Sequence, residues 1–137
     1  MAVTANSIIT PQTPFSRTAV ATTAEVGFNA PTTTVTLLDR ADNTNGARIT
    51  RLVAIPRATI GTANNVQVYT YDGTTKVLVD SALLATVTPG ASVANAKTDF
   101  GYSEDSPLTV RPGHGLEVAI GLGVANGIAF RAEGGFY

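Results

Sequence analysis

The sequence predicts an all-β fold, a single-domain β-sandwich of jelly-roll type with an extended N-terminal arm. Three observations predict it. Residues branched at Cβ recur in runs such as Thr32-Thr33-Thr34-Val35-Thr36-Leu37-Leu38, and they fit a pleated, half-buried surface better than a helix. Turn chemistry returns every ~8–12 residues, which divides the chain into about seven to nine short strands. No apolar stripe of helical period interrupts them. With 137 residues and no cysteine, the chain has the size of one domain and builds its core without disulfides or thiolate-bound metal.

Residues 1–17 read as the extended arm. Pro11 and Pro14 bracket Gln12-Thr13, and each proline fixes φ, removes a donor and extends its predecessor. The same segment carries Ile8, Ile9 and Phe15, followed by Arg17. A solvated tail has no use for these apolar groups, so the arm is expected to lie on a neighbouring subunit.

Residues 18–137 then form the sandwich. A first strand is expected over 18–25 and a second over 32–39, ending in the polar loop Asp39–Gly46, whose Asn45-Gly46 is a favoured turn pair. The third, 47–55, stops at Pro56. Strict alternation there places Arg51 inside with Ile49 and Val53, so either a bulge resets the register or Arg51 is paired. Val66–Tyr71, Asp72-Gly73 and Lys76–Val79 make a hairpin, since Asp-Gly between alternating runs is a strong turn signal. A further strand is expected over 81–87, with Asp80 as an alternative helix cap. Residues 91–106 carry no clear period.

The last third is plainer. Residues 107–110 form a short strand, and Arg111-Pro112-Gly113-His114-Gly115 turns the chain. Leu116, Val118, Ile120 and Leu122 then alternate with smaller or polar residues. Asn126-Gly127 leads into Ile128, Phe130 and Ala132, the apolar set of the final strand.

Against this scaffold the chemistry is sparse. Charged residues are 14% of the chain, the net charge is −1, and His114 is the single imidazole. It stands between two glycines, and neither an orienting carboxylate nor a group to activate is indicated, so a turn role is expected rather than general-base work. Asp99, Glu104 and Asp105, like Asp39, Asp42, Asn43 and Asn45, lack the spacing of a dedicated calcium loop. No phosphate-binding glycine loop and no nucleophile elbow occur. Arg40, Arg48, Arg51 and Arg57 cluster in sequence, but the balance of charge points to ion pairs or a protein interface rather than nucleic acid. No run of residues has the length of a membrane helix. The expectation is therefore a non-enzyme with no cofactor, no metal, and no nucleic-acid or membrane partner. Tyr69 and Tyr71 share one face of their strand and are expected to point outward, a placement that suits an interface or sugar stacking.

The Pro-punctuated arm, the cysteine-free β core, the Val66–Val79 hairpin and the closing Gly127-Ile128-Ala129-Phe130-Arg131-Ala132-Glu133-Gly134-Gly135-Phe136-Tyr137 together resemble small virion proteins of tailed bacteriophages, in particular capsid decoration (cement) proteins. That resemblance implies a homotrimer seated on the capsid surface and bound to the major capsid protein. It also implies synthesis in the host bacterial cytoplasm, consistent with a start, Met1–Thr10, that lacks the basic and long apolar regions of a signal peptide. Ile8, Ile9, Phe15, Arg17, Tyr69 and Tyr71 are the expected interface residues. A tail, fibre or head-fibre component is the alternative within virion proteins, and a carbohydrate-binding sandwich module is the alternative of another class.

Overall fold

A computed structural model describes residues 11–137. Among these residues the chain forms nine strands: β1 (Thr13–Ala21), β2 (Val35–Leu38), β3 (Ala47–Pro56), β4 (Asn64–Tyr71), β5 (Lys76–Leu84), β6 (Thr98–Asp99), β7 (Leu108–Val110), β8 (Gly115–Ile120) and β9 (Ile128–Phe136). They make two antiparallel sheets, one ordered β1-β9-β3-β6 with β7 also on β3, the other β2-β8-β4-β5. The sheets stack as a sandwich, with β1 over β2 and β5 over β6. Alternation explains the core. Ala19, Ala21, Leu52, Ala54, Ile128, Phe130 and Ala132 come from the first sheet, and Val66, Val68, Leu84, Leu116, Val118 and Ile120 from the second.

The conflict at Arg51 is resolved by a bulge. Ile49 pairs with Gly134 and Arg51 with Glu133, so Thr50 is the extra residue. Before it Ala47 and Ile49 face the core; after it Leu52 and Ala54 do. Gly134 makes the close approach possible, because a Cβ there would stand 1.8 Å from the Arg48 carbonyl oxygen. A side chain at 134 would push β3 off β9.

The first strand begins earlier in the sequence than expected, inside the segment read as an arm. Thr13–Arg17 belong to β1, which pairs with β9 from Thr13↔Phe136 to Ala21↔Ile128. Pro14 fits because β1 is the edge of its sheet, where proline is tolerated. Other boundaries shift as well. Strand 18–25 ends at Ala21, 32–39 shortens to β2, and the separate strand at 81–87 merges with Lys76–Val79 into β5. A register slip between Val68 and Tyr69 places Val79 as the bulged residue of β5. Residues 91–106 contribute only the two-residue β6.

The hairpin turn is built as its residues dictate. Gly73 takes φ +102°, a region open to glycine, and Asp72 Oδ1 accepts from the amides of Thr74 at 2.8 Å and Thr75 at 2.7 Å. Two buried asparagines tie the ends of the sandwich. Asn43 Nδ2 donates to the carbonyls of Arg111 and His114 at 2.8 and 2.9 Å, while Asn64 exchanges two hydrogen bonds with the Leu122 backbone at 2.9 and 3.0 Å.

Two substitutions test this packing. Phe130 is fully buried, so Phe130→Ala should lower stability by about 3–5 kcal/mol in denaturant titration. Gly134→Ala should cost about 1–3 kcal/mol through overpacking against β3. A melt within a degree of wild type for either variant would mean that its side chain had been assigned to the wrong face.

Candidate functional site

The outer face of the second sheet is where the sandwich departs from a plain two-layer design. Val66, Val68, Leu116 and Val118 face the core, so their alternates Gln67, Tyr69 and Tyr71 on β4 and Glu117 and Ala119 on β8 face away from it. An outward sheet face is usually wet. Here Gln67, Tyr69 and Ala119 are fully buried and Glu117 is 6% exposed.

The cover is the connection between β1 and β2. After Ala21 the chain bridges in parallel from Ala24 to Ile120, then crosses the face before returning as β2. Glu25 organises it. Its Oε1 accepts from the Thr32 amide at 2.6 Å, the Thr33 amide at 2.8 Å and the Thr33 hydroxyl at 3.0 Å; its Oε2 accepts from the Gly27 amide at 3.0 Å. The Glu25 carbonyl in turn accepts from Gln67 Nε2 at 3.1 Å, and Gln67 Oε1 accepts from Tyr69 Oη at 2.6 Å. A chain of bonds therefore runs from β4 through the loop.

Burial pushes the Glu25 carboxyl pKa up, but the amides of Thr33, Gly27 and Thr32 and the Thr33 hydroxyl outweigh it, and the net value lies below that of an ordinary Glu. The Tyr69 phenol is pushed up, first by burial and then by the Glu25 charge.

A second tether lies towards the hairpin. Lys76 Nζ donates to Thr34 Oγ1 at 2.6 Å and sits 3.6 Å from Glu117 Oε1, to which Thr34 Oγ1 also donates at 3.3 Å. Lys76 Nζ and Arg40 Cζ lie 5.3 and 5.7 Å from the centre of the Tyr71 ring, within range of cation–π attraction. Open clefts of about 310 and 500 Å³ flank Tyr71, the first lined by Glu117, Arg40 and Asp39, the second by Asn29, Pro31 and Lys76. His114 stands in the neighbouring turn. Its backbone is used, donating to Arg111 O at 3.1 Å and accepting from Asn43. Glu117 is tied to Lys76 and Thr34, so its carboxylate serves the tether.

The loop and the sheet edge leave apolar groups in solvent. Val26 is 77% exposed and Phe28 44%; along β5, Leu78, Val79 and Leu83 are exposed as well. Single exposed apolar residues need no explanation; a group on a tied loop and a free edge makes these residues the candidate contact surface.

The expected interface residues divide. Ile8 and Ile9 lie outside the described residues. Phe15 and Arg17 make contacts within the fold. Phe15 packs on Phe136 with ring centroids 4.6 Å apart, and Arg17 pairs with Asp42 at 3.3 Å. Tyr69 is not outward-exposed, because the loop covers it, and Tyr71 is only partly exposed. The paired-tyrosine platform is therefore absent. The arginine cluster disperses too: Arg48 pairs with Glu104 at 3.2 Å, while Arg40 packs on Tyr71. Among the described residues, no three His, Cys, Asp or Glu side chains stand together to hold a metal ion, and no helix is long and apolar enough to cross a membrane. Sequence reasoning missed Glu25, Val26 and Phe28; a glutamate seven and eight residues ahead of Thr32-Thr33 leaves no periodic trace.

Comparisons with protein-family models, with curated proteins and with solved structures find no match.

The Glu25 bonds give a pH signature. A carboxyl with a lowered folded-state pKa stabilises the fold above its unfolded pKa, and that contribution fades as pH falls through the folded value. Glu25→Ala should cost about 1.5–3 kcal/mol near neutral pH. The gap to wild type should narrow below pH ~4, beneath the ordinary glutamate value. Denaturation at pH 7, 5 and 3 reads it; a gap that does not change with pH would refute the assignment.

Proposed function

We propose that this chain is a structural virion protein that binds the outer surface of a bacteriophage capsid and stabilises it, as decoration proteins do. The observation that carries the docking part of this reading is the tied loop. Four hydrogen bonds to one carboxylate hold Val26 and Phe28 in water, an arrangement whose gain comes when a partner covers the tip. A prebuilt apolar anchor binds without the ordering cost of a disordered one. The capsid as partner is supported by the resemblance in the arm, the hairpin and the closing Gly127–Tyr137 phrase. A ligand that binds only the assembled shell stabilises it by mass action.

The jelly-roll form belongs to the same proposal. Strand orders β1-β9-β3-β6 and β2-β8-β4-β5, with most successive strands passing between the two sheets and β4–β5 a hairpin within one, support it.

Binding to capsids assembled from the cognate major capsid protein is the test. Phe28→Asp should leave the melting temperature within a few degrees and weaken co-sedimentation at least about 30-fold, the loss expected of an interface anchor worth ~2 kcal/mol. His114→Ala should bind as wild type, since its bonds are made by backbone. Undiminished binding by Phe28→Asp would remove the loop from the contact, and no binding by the wild-type chain would end the capsid reading.

A further inference from the structure

Among the described residues, the least covered stretch of strand is the start of β5. Val77, Leu78 and Val79 are consecutive and 54%, 37% and 42% exposed. Successive strand residues point to opposite faces. Three exposed in a row are thus open on both faces as well as along the free edge, β5 being the last strand of its sheet. Natural edges are guarded by charges and bulges. The bulge at Val79 and the Asp80 side chain, which accepts from Tyr102 Oη at 2.5 Å, guard the middle of β5, so only the short stretch Lys76–Val79 remains open to an added strand.

The chain itself supplies a segment that fits. The ten residues ahead of Pro11 contain no charged side chain, and Ser7-Ile8-Ile9-Thr10 carries three consecutive β-branched residues. Pro11 lies against Gly135, one residue from the end of β9, and Gln12 donates to Phe136 O at 2.7 Å. Phe136 pairs with Ala47, where β3 leaves the β2–β3 loop, and Tyr137 donates to Gly46 O in that loop. Asn43, also in that loop, holds the turn before Gly115, which pairs with Tyr71 opposite Lys76. The segment therefore starts at the end of the sandwich where β5 begins. It starts at the other lateral edge, however: β1 packs over β2 and β5 over β6. When two copies stand side by side in the same orientation, the β1 edge of one meets the β5 edge of the next. Ser7–Thr10 directly precede Pro11, so the segment reaches about 13 Å from it when extended.

We propose that Ser7–Thr10 of one copy add as a strand to Lys76–Val79 of a second copy. The main chain of the donor pairs with the free edge, and Ile8 and Ile9 cover Val77 and Leu78. The contact is heterologous, with a donor and an acceptor on every copy, and such contacts close into a ring when each copy is rotated from the last by a fixed fraction of a turn. This deepens the docking reading by naming a partner for β5, and it needs no capsid to test.

Complementation in the purified protein decides it. Deleting residues 2–10 leaves an acceptor without a donor, and Leu78→Lys leaves a donor without an acceptor; Val77→Lys is the second donor-only variant. By native mass spectrometry at micromolar concentration, wild type should be one closed oligomer and each variant alone a monomer with an unchanged circular dichroism spectrum. An equimolar mixture of the deletion with either donor should give a one-to-one dimer and nothing larger. The chain has no cysteine, so Ile9→Cys mixed with Leu78→Cys should give a disulfide-linked dimer of the two variants even if a lysine variant fails to fold. A monomeric wild type, a deletion that still assembles, or a cysteine mixture without that dimer would overturn the proposal. Capsid co-sedimentation by a monomeric wild type would at the same time leave the capsid reading standing.

Discussion

One carboxylate holds the outer layer of this protein. Glu25 is 5% exposed, and a buried charge is costly unless it is matched by donors. Two backbone amides and a hydroxyl on one side, and a third amide on the other, match it. Such charge-assisted bonds are the stronger kind. Because its donors come from both limbs of the β1–β2 connection, the carboxylate closes the loop on itself. Because its carbonyl accepts from Gln67, the closed loop is fastened to β4. Gln67 and Tyr69 are dry for this reason, and Val26 and Phe28 are held out for the same reason.

The two edges of the sandwich differ in kind. β1 is closed on its own terms, with Pro14 lacking a donor, Phe15 stacked on Phe136 and Arg17 paired with Asp42. β5 is guarded in its middle by a bulge and by Asp80, yet its first residues are apolar and open. A molecule with one finished edge and one unfinished edge has a direction, which the proposed head-to-tail contact uses. Asn43 and Asn64 add polar ties at the ends of the sandwich.

Much of the fold was legible because alternation is a direct consequence of backbone geometry. Leu116, Val118 and Ile120, and Ile128, Phe130 and Ala132, face the core as their period requires. Asp72-Gly73 turns where it must, and the clash of Arg51 with its neighbours announced the bulge at Thr50. What alternation cannot convey is what crosses a face. It put Tyr69 and Tyr71 on the outer side correctly, but Tyr69 is buried because Glu25, 44 positions away, folds a loop over it. The prolines misled in the arm, since they are tolerated on an edge strand, and nothing local marks β1 as an edge. The candidate surface was less legible still. Val26 and Phe28 read as ordinary apolar residues until the bonds of Glu25 show that their loop is fixed.

Hydrogen exchange in the free, full-length protein tests the central claim that this outer layer is built before any partner arrives. The amides of Gly27, Thr32 and Thr33, bonded to Glu25, should exchange slowly, on the scale of the β4 amides beneath them. Exchange of these three at the rates of exposed loops, with β4 still protected, would show a loop that forms only on contact and would contradict the account.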